Sequence, residues 1–200
     1  MRRSARALYA VLALALVGQL LVWSPWSGAD PGAIAAASRH QMSSGSAGAT
    51  AQDIAAVGST VHVVWQDHGM LPGGRGAIAL RSSFDGGRTF TSPKVLSASR
   101  NEGRRPAIAA SGSHVYVAWV EATAPSGPDQ GDWAVMLVSS RDGGRSFSAP
   151  MRVDEVGRGD SSVVDVAADG PWATVAWNDL SGSPHAVTTA DGGFSLSRLP

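Results

Sequence analysis

Ser83-Phe84-Asp85-Gly86-Gly87-Arg88-Thr89-Phe90 and Ser140-Arg141-Asp142-Gly143-Gly144-Arg145-Ser146-Phe147 are near copies of one another. A shorter third frame, Thr189-Ala190-Asp191-Gly192-Gly193-Phe194, follows them. The aspartates lie 57 and then 49 residues apart. Self-similarity at a period near 50 is the mark of a repeat architecture.

The repeat extends beyond the turn. Upstream of each turn a strand-like segment ends in tryptophan: Val61–Trp65, Val115–Trp119 and Ala173–Trp177. A shorter apolar segment precedes each one: Asp53–Ala56, Pro106–Ala110 and Val164–Ala168. A third segment leads into each turn: Ala77–Leu80, Ala134–Val138 and Ala186–Thr188. In the first two units a fourth follows, Phe90–Val95 and Phe147–Val153, and in the third it is barely begun before Pro200. Four short strands per unit of about 50 residues predict a propeller blade.

The turn residues explain themselves. Gly86 and Gly87 accept positive φ at no steric cost. Asp85 can accept hydrogen bonds from turn amides, and Ser83 offers a hydroxyl to the same network. Phe90 is placed to pack back under the hairpin. None of these tasks requires a ligand.

These residues resemble the Asp-box, S-x-D-x-G-x-x-[WF], also called the bacterial neuraminidase repeat. The chain is similar over residues 51–200 to the sialidase-like β-propeller superfamily, usually six-bladed. All four positions match at Ser83, Asp85, Gly87 and Phe90, and again at Ser140, Asp142, Gly144 and Phe147. In the third copy Thr189, Asp191 and Gly193 match, with Thr in place of Ser. Its aromatic position is filled either by Leu196 or, through a two-residue deletion, by Phe194. The resemblance implies an all-β fold, a partial propeller of three four-stranded antiparallel blades at about 51–98, 99–155 and 156–200. It also implies that the box lies between a blade's third and fourth strands, away from the substrate face.

Composition agrees with a turn-rich β protein. Charged residues make up 16% of the chain, against a usual figure of about 25%. No cysteine is present, which excludes disulfides, thiolate chemistry and Cys-ligated zinc. Arg2, Arg3 and Arg6 precede an apolar run from Ala7 to Trp23, then small residues at Ser27–Ala29. This is the layout of an export signal over residues 1–29, a hydrophobic helix that is either cleaved or kept as a membrane anchor. Residues 30–50 read as an Ala/Ser/Gly linker. The expected location is outside the cell or in its envelope. Removing the signal takes away three arginines and no acid, so the remainder is mildly acidic, and no basic stripe points to nucleic acid.

The loops after Trp65, Trp119 and Trp177, with the loops between blades, form the face where the family places its site. Each tryptophan is followed two residues later by an acid: Asp67, Glu121 and Asp179. Two readings stand. The acids either form a carboxylate rim for a cation or sugar hydroxyls, or end their strands by accepting backbone N–H bonds. Repetition in every blade favours the second, because a catalytic site needs different residues on different blades. The tryptophans follow alternating apolar positions and read as core, each indole N–H finding a partner at the strand end. Arg104, Arg105 and Arg158 are candidates for an anion-binding cluster.

Catalytic members of the family clamp a carboxylate with three arginines, and use a Tyr–Glu nucleophile and an Asp acid/base. Here Tyr9 falls in the signal and Tyr116 in mid-strand, and Arg104-Arg105-Pro106 departs from the family's Arg-Ile-Pro. The five histidines lack ligand spacing, and no metal or cofactor is implied. Gly157-Arg158-Gly159-Asp160 contains an Arg-Gly-Asp tripeptide, which reads as a between-blade loop. The reading is an exported, non-catalytic module that binds glycan or protein; the alternative is the N-terminal part of an exo-sialidase-like hydrolase. Three blades leave two apolar faces without a neighbour. Either the chain is a portion of a longer propeller, the reading favoured by its stop within the third unit, or two copies complete six blades.

Overall fold

The computed structural model describes residues 40–43, 48–97, 101–123, 133–154, 164–179, 181–193 and 195–198. The expected signal, most of the linker, Arg158 with its Arg-Gly-Asp tripeptide, and Phe194 lie outside them. Among the described residues, twelve strands form three four-stranded antiparallel sheets, each paired in chain order. Blade 1 holds β1 (Ala49–Val57), β2 (Thr60–Asp67), β3 (Ala77–Ser83) and β4 (Lys94–Val95). Blade 2 holds β5 (Gly103–Ser111), β6 (His114–Ala122), β7 (Trp133–Ser140) and β8 (Met151–Arg152). Blade 3 holds β9 (Val164–Asp169), β10 (Trp172–Asn178), β11 (Pro184–Thr189) and β12 (Ser197–Arg198).

The fourth strands depart from expectation. They span two residues each, not six or seven. After the turn the chain bonds to the third strand through Thr91 N to Ser82 O at 2.9 Å and Ser148 N to Ser139 O at 2.8 Å, with the Thr91 and Ser148 hydroxyls accepting from Ser82 N and Ser139 N. Then Pro93 and Pro150 supply no N–H, and regular pairing starts only beyond them. The third unit carries its fourth strand as well. β12 pairs Val187 with Arg198 and Thr188 with Ser197, and it is as long as β4 and β8.

The same turn closes all three blades. Ser83 Oγ donates to Asp85 Oδ1 at 2.7 Å and accepts from Gly87 N at 2.8 Å. Asp85 Oδ1 accepts from Thr89 N at 2.9 Å. Ser140, Asp142, Gly144 and Ser146 repeat the pattern. In the third copy Ser195 N donates to Asp191 Oδ1 at 3.0 Å and Gly193 N to Thr189 Oγ1 at 2.9 Å. Ser195 therefore occupies the place of Thr89 and Ser146, the frame has no deletion, and Leu196 holds the aromatic position, packed against the core.

These hydrogen bonds favour the charged carboxylates. Asp85 and Asp142 are held well below the ordinary carboxylate range, first by the hydroxyls of Thr89 and Ser146, then by those residues' backbone N–H groups, then by Ser83 and Ser140. A depressed folded-state value stabilises the fold above the unfolded-state value near 3.8 and is lost as pH falls through the folded one. Asp85→Asn/Asp142→Asn should therefore be less stable than wild type at pH 7, with the gap narrowing below pH 4. Urea titrations at both pH values check this, and a gap independent of pH would contradict it.

Core residues lie between blades. Val64, Ile78 and Leu80 of blade 1 meet Val115, Val117 and Trp119 of blade 2. Tyr116, Val135 and Leu137, on the other face of blade 2, meet Val166, Val175 and Val187 of blade 3. Strands alternate faces, so even-numbered β2, β6 and β10 residues of one blade face the odd-numbered ones of the next. The first strands lie side by side, β5 between β1 and β9.

Candidate functional site

The face to inspect lies where β2, β6 and β10 end, opposite the Asp-Gly-Gly turns. Two of the three strand-end acids are committed to structure. Asp67 Oδ2 accepts from Trp65 Nε1 at 2.9 Å and Oδ1 from Gly69 N at 2.8 Å. Glu121 Oε2 accepts from Trp119 Nε1 at 2.9 Å and Oε1 from Asn101 Nδ2 at 3.3 Å. Both acids are buried. Each takes the indole two residues earlier as a donor, which is how a fully buried tryptophan satisfies its single N–H. The sequence reading favoured backbone donors, and Asp67 takes one from Gly69.

The third acid is wired differently. Asp179 accepts from His185 Nε2 at 2.9 Å, Ser181 Oγ at 2.6 Å and Ser183 N at 2.9 Å. The His185 bond, then Ser181 and Ser183, hold its carboxyl well below the ordinary range. Trp177 stacks on His185, with ring centroids 5.8 Å apart, and is half-buried where Trp65 and Trp119 are closed off.

The seams between blades explain the difference. At the loop end of the blade 1/blade 2 seam, backbone meets backbone: Gly103 N donates to Gly76 O at 2.7 Å. A Cβ on Gly76 would lie 2.4 Å from Gln66 Nε2 and 2.6 Å from Gly103 O. Ala77 pairs with Asp67 and Ala134 with Glu121, so the position of Gly76 in blade 2 is Trp133. No such closure is available to an indole.

Trp133 instead carries the Arg104 guanidinium over its ring, 4.2 Å from the centroid, within the range of a cation–π contact. Arg104 Nε also donates to Glu102 Oε1 at 2.9 Å. Arg105 follows in a β-bulge at φ 50°, matched in β1 by Ala51 at φ 51°. A bulge re-aims a side chain, and Arg105 is exposed beside the seam. The structure thus gathers Arg104, Glu102 and Trp133 on blade 2, and Asp179, His185 and Trp177 on blade 3. Both tryptophans pack against the same inter-blade core. Trp133, Glu102 and His185 escaped sequence reasoning; the only signal was a tryptophan where the preceding repeat has glycine.

Tyr116 lies at the other end. It is fully buried, and its hydroxyl donates to Gly170 O at 3.1 Å in the β9–β10 turn. Burial pushes its phenol up, and Arg141 offsets this in part. His62 occupies the same position in blade 1. It is bonded to Ser82 Oγ at 2.8 Å, and burial lowers its imidazole.

No family model matches the sequence, and no curated protein does. Solved structures do. A Hadza microbial sialidase is 14% identical with a TM-score of 0.50, over 74% of this chain and 36% of its own. The Trypanosoma rangeli sialidase is 13% identical with a TM-score of 0.52, over 75% of this chain and 30% of its own. Its complex with sialic acid gives 13% and 0.53 over the same shares. The chain spans about a third of the length of these proteins. Its three consecutive four-stranded sheets, with adjacent first strands, are similar in fold to part of these sialidases.

Proposed function

We propose that this chain is an exported, non-catalytic propeller module that binds glycan through the loop end of the blade 2/blade 3 seam. The observation that carries the reading is Arg104 laid over Trp133 beside Glu102, on the side that faces Trp177 and His185. Arg104 and Glu102 present polar groups that orient a sugar's hydroxyls or its acid, and the Trp133 indole beneath the guanidinium supplies the apolar part of the wall. Asp67 and Glu121 instead hold the strand-end tryptophans Trp65 and Trp119, and Arg105 flanks the site. The export signal at residues 1–29 supports delivery to the envelope or the medium.

The placement of Tyr116 speaks against turnover. Its hydroxyl is engaged at the turn end, so it is not offered to a substrate on the loop face. Turnover in a fluorogenic sialoside assay on the 200-residue chain would overturn that role for Tyr116.

Calorimetric titration with sialylated and neutral oligosaccharides tests the binding reading. Trp133→Ala should weaken the bound glycan by at least about tenfold, or about 1.4 kcal/mol, read at a temperature where the variant stays folded because Trp133 also packs against the inter-blade core. Unchanged affinity in Trp133→Ala, or binding to neither glycan class, would sink it.

A further inference from the structure

The chain contains four Asp-Gly pairs: Asp85–Gly86, Asp142–Gly143, Asp169–Gly170 and Asp191–Gly192. Such a pair can rearrange without any reagent but water. The glycine backbone nitrogen attacks the aspartate Cγ and an N–C bond forms. The amide proton and the carboxyl hydroxyl leave together as water. Water then opens the five-membered imide. Opening at the side-chain carbonyl restores aspartate; opening at the main-chain carbonyl leaves isoaspartate, with Cβ in the backbone and the mass unchanged. Glycine favours the step because no side chain hinders the attacking nitrogen.

Three of the four pairs are locked at both ends of that new bond. Gly86 N donates to Ser59 O at 2.7 Å, Gly143 N to Ser113 O at 2.8 Å and Gly192 N to Pro171 O at 2.9 Å. Those carbonyls all lie in the hairpin between a blade's first and second strands, so each Asp-Gly-Gly turn is tied to the turn beside it. The carboxylates are held as well. Asp85 accepts from the Ser83 hydroxyl and from the backbone N–H and hydroxyl of Thr89. Asp142 and Asp191 repeat all three bonds. These donors keep Asp85 and Asp142 ionised to unusually low pH, and an ionised carboxylate resists attack because it has no hydroxyl to lose as water.

Asp169–Gly170 has neither lock. Asp169 ends β9 and pairs with Trp172, so Gly170 and Pro171 form a two-residue hairpin turn, with Gly170 at φ 56°. Among the described residues, no hydrogen bond holds the Gly170 N–H or the Asp169 carboxylate. Blades 1 and 2 carry Val57 and Ser111 at the place of Asp169. The two carbonyls of the turn are nonetheless in use. Gly170 O accepts from the hydroxyl of Tyr116, buried in blade 2, at 3.1 Å. Pro171 O is the acceptor that ties down Gly192.

We propose that Asp169–Gly170 is a site of spontaneous isoaspartate formation, and that its conversion loosens blade 3 from blade 2. An extra backbone carbon lengthens a two-residue turn and re-aims both of its carbonyls. The Tyr116 hydroxyl then loses its acceptor in a buried place, which carries a penalty of its own. The third Asp-Gly-Gly turn loses its tie at the same time. The site lies on the face opposite the loops after the strand-end tryptophans, and the inference is independent of the glycan reading.

Ageing the folded 200-residue chain at neutral pH tests this. Peptide mapping with electron-transfer fragmentation tells isoaspartate from aspartate at equal mass and reads all four pairs together. Isoaspartate should accumulate at Asp169 at least about tenfold faster than at Asp85, Asp142 or Asp191, which must first open their turns. In concentrated urea the four rates should draw within about threefold of one another. Equal rates in the folded chain would overturn the site. So would an unchanged lead of Asp169 in urea, because neighbouring residues and not the fold would then set the rate. Asp169→Ser, which copies Ser111 of blade 2, should remove the signal. Ageing should lower the urea midpoint of wild type and leave that of Asp169→Ser where it began. Equal falls in both would overturn the loosening of blade 3.

Discussion

Trp119→Ala should lower the unfolding free energy by about 3–5 kcal/mol, the usual cost of truncating a fully buried large side chain. Trp119 is entirely shielded in the blade 1/blade 2 seam, and its removal opens a cavity that the neighbouring strands cannot close. It also strips Glu121, 4% exposed, of its indole donor at 2.9 Å, and a buried polar group left short of a partner carries its own penalty. Trp177→Ala is the contrast. Trp177 is half-buried on His185, and Asp179 keeps its bonds to His185, Ser181 and Ser183 without it. Its loss should cost about 1–2 kcal/mol. Urea unfolding of the two variants measures the difference, and equal losses would mean that the two seams are packed alike.

Gly144→Ala should be the costliest change in the Asp-Gly-Gly turns. Gly87 and Gly144 occupy the same place in their frames, at φ 84° and 83°. Either position charges an alanine about 1–2 kcal/mol for a left-handed backbone. Around Gly87 a Cβ would meet nothing within 4 Å, whereas at Gly144 it would lie 2.4 Å from His62 Cε1 of the preceding blade. That overpacking should add about 1–3 kcal/mol. The pair of variants separates backbone conformation from inter-blade contact. Adding His62→Ala to Gly144→Ala should recover the steric part and leave the conformational part, a coupling that a double-mutant cycle reads directly. If Gly87→Ala and Gly144→Ala lose the same amount, blade 1 does not press on the second turn.

The turns were legible because every bond in them closes within a few residues: Ser83, Asp85, Gly87 and Thr89 satisfy one another. The strands before them were legible for a similar reason, since alternation marks a half-buried sheet. The fourth strands were over-read because Pro93 and Pro150 delay pairing, an effect outside any apolar pattern. The third turn was ambiguous because Leu196 fills an aromatic position that only the Ser195 bonds identify. The repeated spacing from tryptophan to acid misled in a different way. It marks one structural device in Asp67 and Glu121, yet Asp179 serves His185. The seam residues were hidden most deeply. Gly76 and Trp133 differ in consequence only when the next blade lies against them, about 27 residues further on for Gly76, where Gly103 arrives.

Several side chains of one blade reach forward to the next. Lys94 reaches the Arg145 carbonyl at 2.8 Å, Phe84 lies under the Arg145 guanidinium, and Arg141 reaches the Asp191 carbonyl. Each gripping group is therefore synthesised before the blade that receives it. A nascent chain that has emerged only as far as Leu96 presents Val64, Ile78 and Leu80 with nothing to cover them, and stays in that state until β6 has followed. Such exposed strands are sticky. The burden of protecting this protein during its production thus falls on the interval between one blade and the next, and export in an unfolded form would shift that interval to the far side of the membrane.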